Sequence, residues 1–242
     1  AGAVARLTTP RTRMVVASHV AYGTGEVLDI AGAAEAAHAV GALCVVDGAQ
    51  SVGAIPVDVT ALGADVYAFP AHKWLYGPEG LGAVWVAPEA TGRLHPTFSG
   101  YESGTGHTPY GDIDLHGGAR RYEMSTPPMA LLGAWSAALD WMEGLGWEWI
   151  HARIRAGHAR TRAALDGLPG VRVITPDGTQ AGLVSFAVEG HDPAAACAAL
   201  ADDGVLVRWL EYPPALRASI GFHWCDDDIE RLARGVAAVR GC

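Results

Sequence analysis

A chain of 242 residues, half of them hydrophobic and 18% charged, is long enough for one large or two modest domains and too apolar to be disordered. Its 26 acidic residues outnumber 17 basic ones, giving a formal net charge of −9. The basic residues are dispersed, Arg120-Arg121 being the longest run, so no nucleic-acid surface is expected. No apolar stretch reaches the length of a membrane span, so no membrane partner is expected either.

The four cysteines, Cys44, Cys197, Cys225 and Cys242, form no CxxC pair and no metal-binding cluster with histidine. That pattern predicts reduced thiols, a cytoplasmic location and no metal. Residues 1–10 lack the charged-then-apolar order of a signal peptide.

In chain order, the first half alternates β-rich runs with helical patterns, which predicts parallel βαβ units. Residues 14–18 read as a strand and 30–40 as an Ala-rich helix that stops before Gly41. The continuous apolar run 42–46 reads as a strand covered on both faces, and 65–69 and 80–86 as two further strands. Residues 95–120, rich in Gly, Thr, Pro and His, read as a long loop. Composition shifts after Pro127-Pro128. Helices are expected over 129–142, 147–168, 193–201 and 227–240, and strands over 171–175, 183–188, 205–209 and 217–220. The fold class is therefore α/β, a mainly parallel sheet with helices on both faces, followed by a small C-terminal α+β domain. We place the boundary between residues 1–143 and 144–242.

Ligands of open parallel sheets sit beyond the carboxyl ends of the strands. Asp47 lies at one such end, and His72-Lys73 lie just past the next. A lysine amine able to form a Schiff base and a carboxylate able to keep a pyridine nitrogen protonated are what pyridoxal phosphate (PLP) requires. On its own the pair leaves a second reading open. A strand-terminal Asp also serves turns, and a Lys also serves as solvated surface.

The motifs Ser18-His19-Val20, Asp47-Gly-Ala-Gln50, Pro56-Val-Asp58, Leu62-Gly-Ala-Asp65, and His72-Lys73 followed by Gly77-Pro-Glu-Gly80 occur in one order. In that order and approximate spacing the chain resembles the class V aminotransferase and cysteine desulfurase superfamily of fold-type I PLP enzymes. The resemblance implies that Lys73 carries the cofactor and moves the substrate Cα proton. It implies that Asp47 pairs with the ring nitrogen, that Gln50 bonds the ring oxygen and that His72 contacts the phosphate region. Thr126, in Arg121-Tyr-Glu-Met-Ser-Thr126-Pro127, would reach the phosphate of a neighbouring subunit's cofactor in a homodimer, or else cap the helix that follows. Arg217 would take the substrate α-carboxylate, for which a planar guanidinium fork is suited. Arg208 matches a second arginine near the site, or is a surface arginine on an edge strand. Relatives run longer than this chain, which implies a missing N-terminal portion, in keeping with the absence of an initiator Met.

Three departures matter. Desulfurases of the superfamily use a cysteine on the loop matching residues 209–216, and this loop holds none. Pro70 stands where many relatives have a phosphate-binding serine, and Tyr22 where many have an asparagine near the substrate. The expected function is thus a PLP-dependent enzyme acting at Cα or Cβ of an L-amino acid, of C–S lyase or aminotransferase type. The alternatives are an amino-acid epimerase, with His19, Tyr22 or Tyr101 as the second acid, and a non-catalytic fragment.

Overall fold

The computed structural model describes residues 2–240, and Cys242 lies outside them. A short helix α1 (Gly2–Leu7) and a turn over residues 8–12 lead into strand β1 (Met14–Ser18). Helix α2 (Ile30–His38) starts at Asp29, whose carboxylate accepts from Gly32 N at 2.9 Å. It buries Ile30, Ala33, Ala34 and Ala37, one face of a 3.6-residue period. Gly41, at φ +75°, then turns the chain into β2 (Leu43–Asp47). Strands β3 (Val66–Pro70) and β4 (Gly82–Val86) complete a sheet of order β1-β2-β3-β4.

The first three strands are parallel, as expected, but β4 runs antiparallel to β3. The reason is the short connection: residues 71–81 form a tight turn that has no length for a crossover helix. Residues 48–65, between β2 and β3, likewise hold turns in place of a helix.

Helix α3 (Pro88–Thr91) follows, and the stretch expected to be loop contains a small hairpin, β5 (Gly104–Thr105) with β6 (Asp114–Leu115), and a 3-10 turn over Ala119–Tyr122. Two consecutive helices, α4 (Met129–Leu145) and α5 (Trp147–Asp166), part at Gly146. The remaining elements are β7 (Val171–Val173), β8 (Leu183–Val188), α6 (Pro193–Asp202), β9 (Arg208–Leu210), β10 (Ala215–Ser219) and α7 (Asp226–Arg240). They form an antiparallel sheet of order β7-β8-β10-β9, with Leu165, Phe186, Leu200, Leu216 and Val236 at the centre of its core.

The chain divides into two compact units. One comprises residues 1–19, 29–49 and 57–141; the other comprises 20–28, 50–56 and 142–242. Two loops from the first half of the sequence thus belong to the second unit. Among the described residues no helix is long and apolar enough to cross a membrane.

Candidate active site

In the first unit, Ser18, Asp47 and Ala68 are register partners on neighbouring parallel strands. The pairing continues past the strand ends. His19 N donates to the Asp47 carbonyl at 2.9 Å, and Gly48 N donates to the Ala68 carbonyl at 2.7 Å. The backbone carrying Asp47 is therefore held from both sides. Its carboxylate is exposed, and Oδ1 accepts from Ala49 N at 2.9 Å, an Asx turn that fixes the side chain. Oδ2 has no partner among the described residues.

Beneath this turn lies Tyr67, fully buried on β3. A Cβ on residue 48 would stand 2.0 Å from Tyr67 Cε1, so only glycine fits there. The Tyr67 hydroxyl and His19 Nδ1 share a hydrogen bond of 2.8 Å, with the two rings edge to face. His19 is buried, and that burial lowers its pKa, favouring the neutral ring. This His–Tyr support was not anticipated from the motifs. Its only sequence signal was the aromatic pair Tyr67 and Phe69, alternating with small residues along β3.

Past β3 the chain folds into the turn that carries Lys73. Ala71 N donates to the Leu81 carbonyl at 3.0 Å, and Gly77 N donates back to the Ala71 carbonyl at 2.9 Å. Tyr76 N donates to the Lys73 carbonyl at 3.1 Å, and Tyr76 itself adopts φ +53°, a left-handed conformation that is costly for a non-glycine residue. Trp74 and Leu75 are buried and anchor the turn. A Cβ on residue 77 would stand 2.6 Å from Trp135 Cδ1 and 2.9 Å from Ala71 Cβ, so the turn closes against α4 only with glycine there. Lys73 is half-buried, and its amine bonds to no described residue; His72 is exposed. Lys73 is also the only lysine in the sequence.

Thr126 is exposed, and it does not cap α4: that helix begins at Met129, with the Pro128 carbonyl accepting from Leu131 N and Leu132 N.

The remaining expected residues lie in the second unit. Gln50 is buried. Tyr22 sits on a hairpin closed by a bridge between Val20 and Val27 and by Gly25, at φ +74°, packed against the Leu183 carbonyl. Arg217, on β10, is buried. Its Nη1 donates to the Tyr22 carbonyl at 2.9 Å, and its guanidinium carbon lies 4.3 Å from the centre of the Tyr22 ring. Burial lowers the Arg217 pKa, partly offset by Tyr22. Its Nε is buried without a partner. Arg208, exposed on β9, is the register partner of Arg217, and its guanidinium carbon lies 5.9 Å from the same ring centre. Cys225 precedes α7. Its backbone N–H and its thiol both donate to Asp228 Oδ2, at 2.9 and 3.3 Å, a helix-capping arrangement.

Known proteins share this organisation. A family model described as aminotransferase class-V matches residues 2–232. A probable cysteine desulfurase of Mycolicibacterium paratuberculosis is 36% identical over 246 residues, covering 95% of this chain and 35% of that protein. The isopenicillin N epimerase of Streptomyces clavuligerus is 34% identical over 248 residues, covering 96% of this chain and 61% of the epimerase. Among solved structures, the cystine C–S lyase C-DES in complex with its reaction product, cysteine persulfide, superposes with a TM-score of 0.90 at 29% identity, over 98% of this chain and 64% of that one. A lysine-to-alanine variant of C-DES, with glycine covalently linked to its PLP cofactor, gives the same TM-score. The chain thus spans less than two thirds of each of these relatives. The match over nearly the whole chain, together with the strand-end placement of Asp47 and Lys73, leads to one conclusion: this chain belongs to the aminotransferase class-V family.

Proposed function

We propose that this chain serves a PLP-dependent enzyme acting at Cα or Cβ of an L-amino acid, as a C–S lyase by elimination or as an aminotransferase. The observation that carries the reading is that the sole lysine, half-buried and unbonded, directly follows the strand paired with the one ending in Asp47. The donor set fits the cofactor. An amine without a partner follows one interior strand of the sheet, and the neighbouring interior strand ends in a carboxylate that has one oxygen fixed and the other unpaired. The PLP-linked structure of C-DES supports the same identification.

When bound, PLP supplies a ring that withdraws the electron pair left at Cα after proton removal. Asp47 would keep a proton on the ring nitrogen, and its Asx turn with Ala49 holds the carboxylate in place for that role. Lys73 would hold the cofactor through its aldehyde between turnovers and, as a free amine, would take the Cα proton and deliver it to the departing sulfur in an elimination. Gln50 binds the ring oxygen, His72 the phosphate region, and Arg217 the α-carboxylate through the part of its fork that Tyr22 leaves unbonded. Thr126 of one chain serves the phosphate site of a second chain, in a cytoplasmic homodimer built from domains 1–143 and 144–242. Elimination is favoured over sulfur transfer through the protein because loop 209–216 has no cysteine and the Cys225 thiol is engaged with Asp228.

A second reading, amino-acid epimerase, is supported by the Streptomyces clavuligerus relative. It needs an acid on the opposite face of the ring, for which His19, Tyr22 and Tyr101 are the candidates.

The test is product analysis with PLP present. S-ethyl-L-cysteine should yield pyruvate, ammonia and ethanethiol if the protein eliminates. Amino transfer to a keto acid identifies the aminotransferase, and racemisation without keto acid identifies the epimerase. Absence of all three sinks the enzymatic reading.

A further inference from the structure

Within the second unit, a cavity of about 280 Å³ lies between α5, α7, the segment 204–207 that leads into β9, and the end of β10. Its buried wall is apolar, formed by Ala218, Ile220, Trp224, Ile229 and Leu232, with one exception. Thr161 of α5 also lines it, is 1% exposed, and has an Oγ1 that bonds to no described residue. A buried hydroxyl left in that condition is costly. The exposed rim carries charge of both signs. Asp228, in the first turn of α7, accepts from the Cys225 N–H and thiol through Oδ2, while Oδ1 bonds to no described residue. Arg231, one turn further on, donates Nη2 to the Gly204 carbonyl in a long bond of 3.4 Å and forms no ion pair with Asp228. Ser219 and His223 complete the polar part of the rim, and Leu206 adds an exposed apolar edge. This cavity is separate from the proposed substrate site. Ala218 faces it, and Arg217, the preceding residue of β10, points to the other face of the sheet.

We propose that this cavity is a second ligand site, taking a free phenolic α-amino acid of the L-tyrosine type with its side chain inward. The apolar wall packs the ring, and the Thr161 hydroxyl pairs with the phenol. At the rim, Arg231 takes the carboxylate and Asp228 the ammonium. A zwitterion uses both signs of the rim. A plain acid would set its charge beside Asp228, and a plain amine would set its charge beside Arg231. Size argues in the same direction: alanine or cysteine would leave most of about 280 Å³ unfilled. Neither Lys73 nor Asp47 takes part, so the site stands independently of the enzymatic reading.

The test is equilibrium dialysis of the full chain, without added PLP, against labelled L-tyrosine and L-phenylalanine. L-tyrosine should bind about tenfold more tightly, the scale of one buried hydroxyl gaining a partner. Unlabelled tyramine and 3-(4-hydroxyphenyl)propionate, each lacking one of the two charges, should displace it about tenfold less effectively than unlabelled L-tyrosine. Thr161→Val should remove the preference by weakening L-tyrosine alone, and Thr161→Ser should retain it. Arg231→Leu, at an exposed position, should weaken both amino acids about tenfold, with folding checked by circular dichroism. No binding of either amino acid, equal affinities, or binding indifferent to Arg231→Leu would overturn the proposal. So would displacement of L-tyrosine by S-ethyl-L-cysteine, which would place it in the substrate site. The cofactor absorbance that depends on Lys73 is read separately: its loss with L-tyrosine binding intact removes the enzymatic reading and leaves this site, and the reverse result removes the site alone.

Discussion

Arg217 Nη1 donates to the backbone carbonyl of Tyr22, 195 positions earlier in the chain, and the same guanidinium lies 4.3 Å from the Tyr22 ring centre. One buried side chain thus ties the 20–28 hairpin to the β10 strand of its own unit while keeping Nε unspent. In this position the arginine has an architectural role beside the binding role proposed for it.

Arg217→Leu is expected to raise KM for α-carboxylate substrates about tenfold or more and to lower kcat less, because the lost interaction is made in ground and transition states alike. Steady-state kinetics on folded protein, checked by circular dichroism, decides this. An unchanged KM would make Arg217 purely architectural and shift the carboxylate to Arg208.

Asp47→Ala should leave the cofactor attached and slow Cα chemistry by about a hundredfold or more, the scale of one well-placed proton. Exchange of the Cα hydrogen with deuterated solvent measures that step. Unchanged exchange would reduce Asp47 to its Asx turn with Ala49.

Cys225→Ser should keep turnover intact, since a serine hydroxyl can replace the thiol as donor to Asp228 Oδ2. Cys44 is unsuited to nucleophilic chemistry, because burial and then the Asp65 charge push its pKa up to about 11. Loss of turnover in the Cys225 variant with folding intact would point back to sulfur transfer through a protein cysteine.

Stability should fall as pH drops below about 6.5. Burial lowers the pKa of His19, His151 and His158 from 6.5, so below that value the unfolded chain binds more protons than the folded one. Asp228 has its pKa lowered from 3.8 by the Cys225 hydrogen bonds, so its contribution is lost only at more acid pH and does not act in this window. Urea midpoints at pH of about 7.5 and about 5.5 should differ in this sense, and His19→Asn should shrink the difference. A midpoint that rises towards pH 5.5 would contradict the burial argument.

Much of this architecture is legible locally. The β1 strand, the α2 face built on Ile30, Ala33, Ala34 and Ala37, and β8 follow from apolar patterning, with Gly41 closing the turn after α2 and Gly182 preceding β8. Direction is not legible in the same way. The run containing β4 is as β-rich as its neighbours, and only the short turn bearing Lys73 forces it to run backwards. The hairpin carrying Tyr22 joins the second unit through contacts that no local pattern encodes, among them the Arg217 bond and the packing of Gly25 on Leu183. The opposition of Arg208 and Arg217 depends on strand register, which needs the folded sheet. Motif order pointed to Lys73 and Asp47. Tyr67 and His19, which brace the Asp47 turn from below, became evident only in three dimensions.

Borohydride reduction followed by peptide mapping tests most directly whether Lys73 holds the cofactor. Protein incubated with PLP should show a visible absorbance band that borohydride bleaches, with the reduced pyridoxyl group recovered on the peptide containing Trp74 and Leu75. The chain has no other lysine to accept it, and Lys73→Ala should show neither band nor label. A pyridoxyl label recovered only at the terminal amine, or turnover retained in Lys73→Ala, would contradict the account.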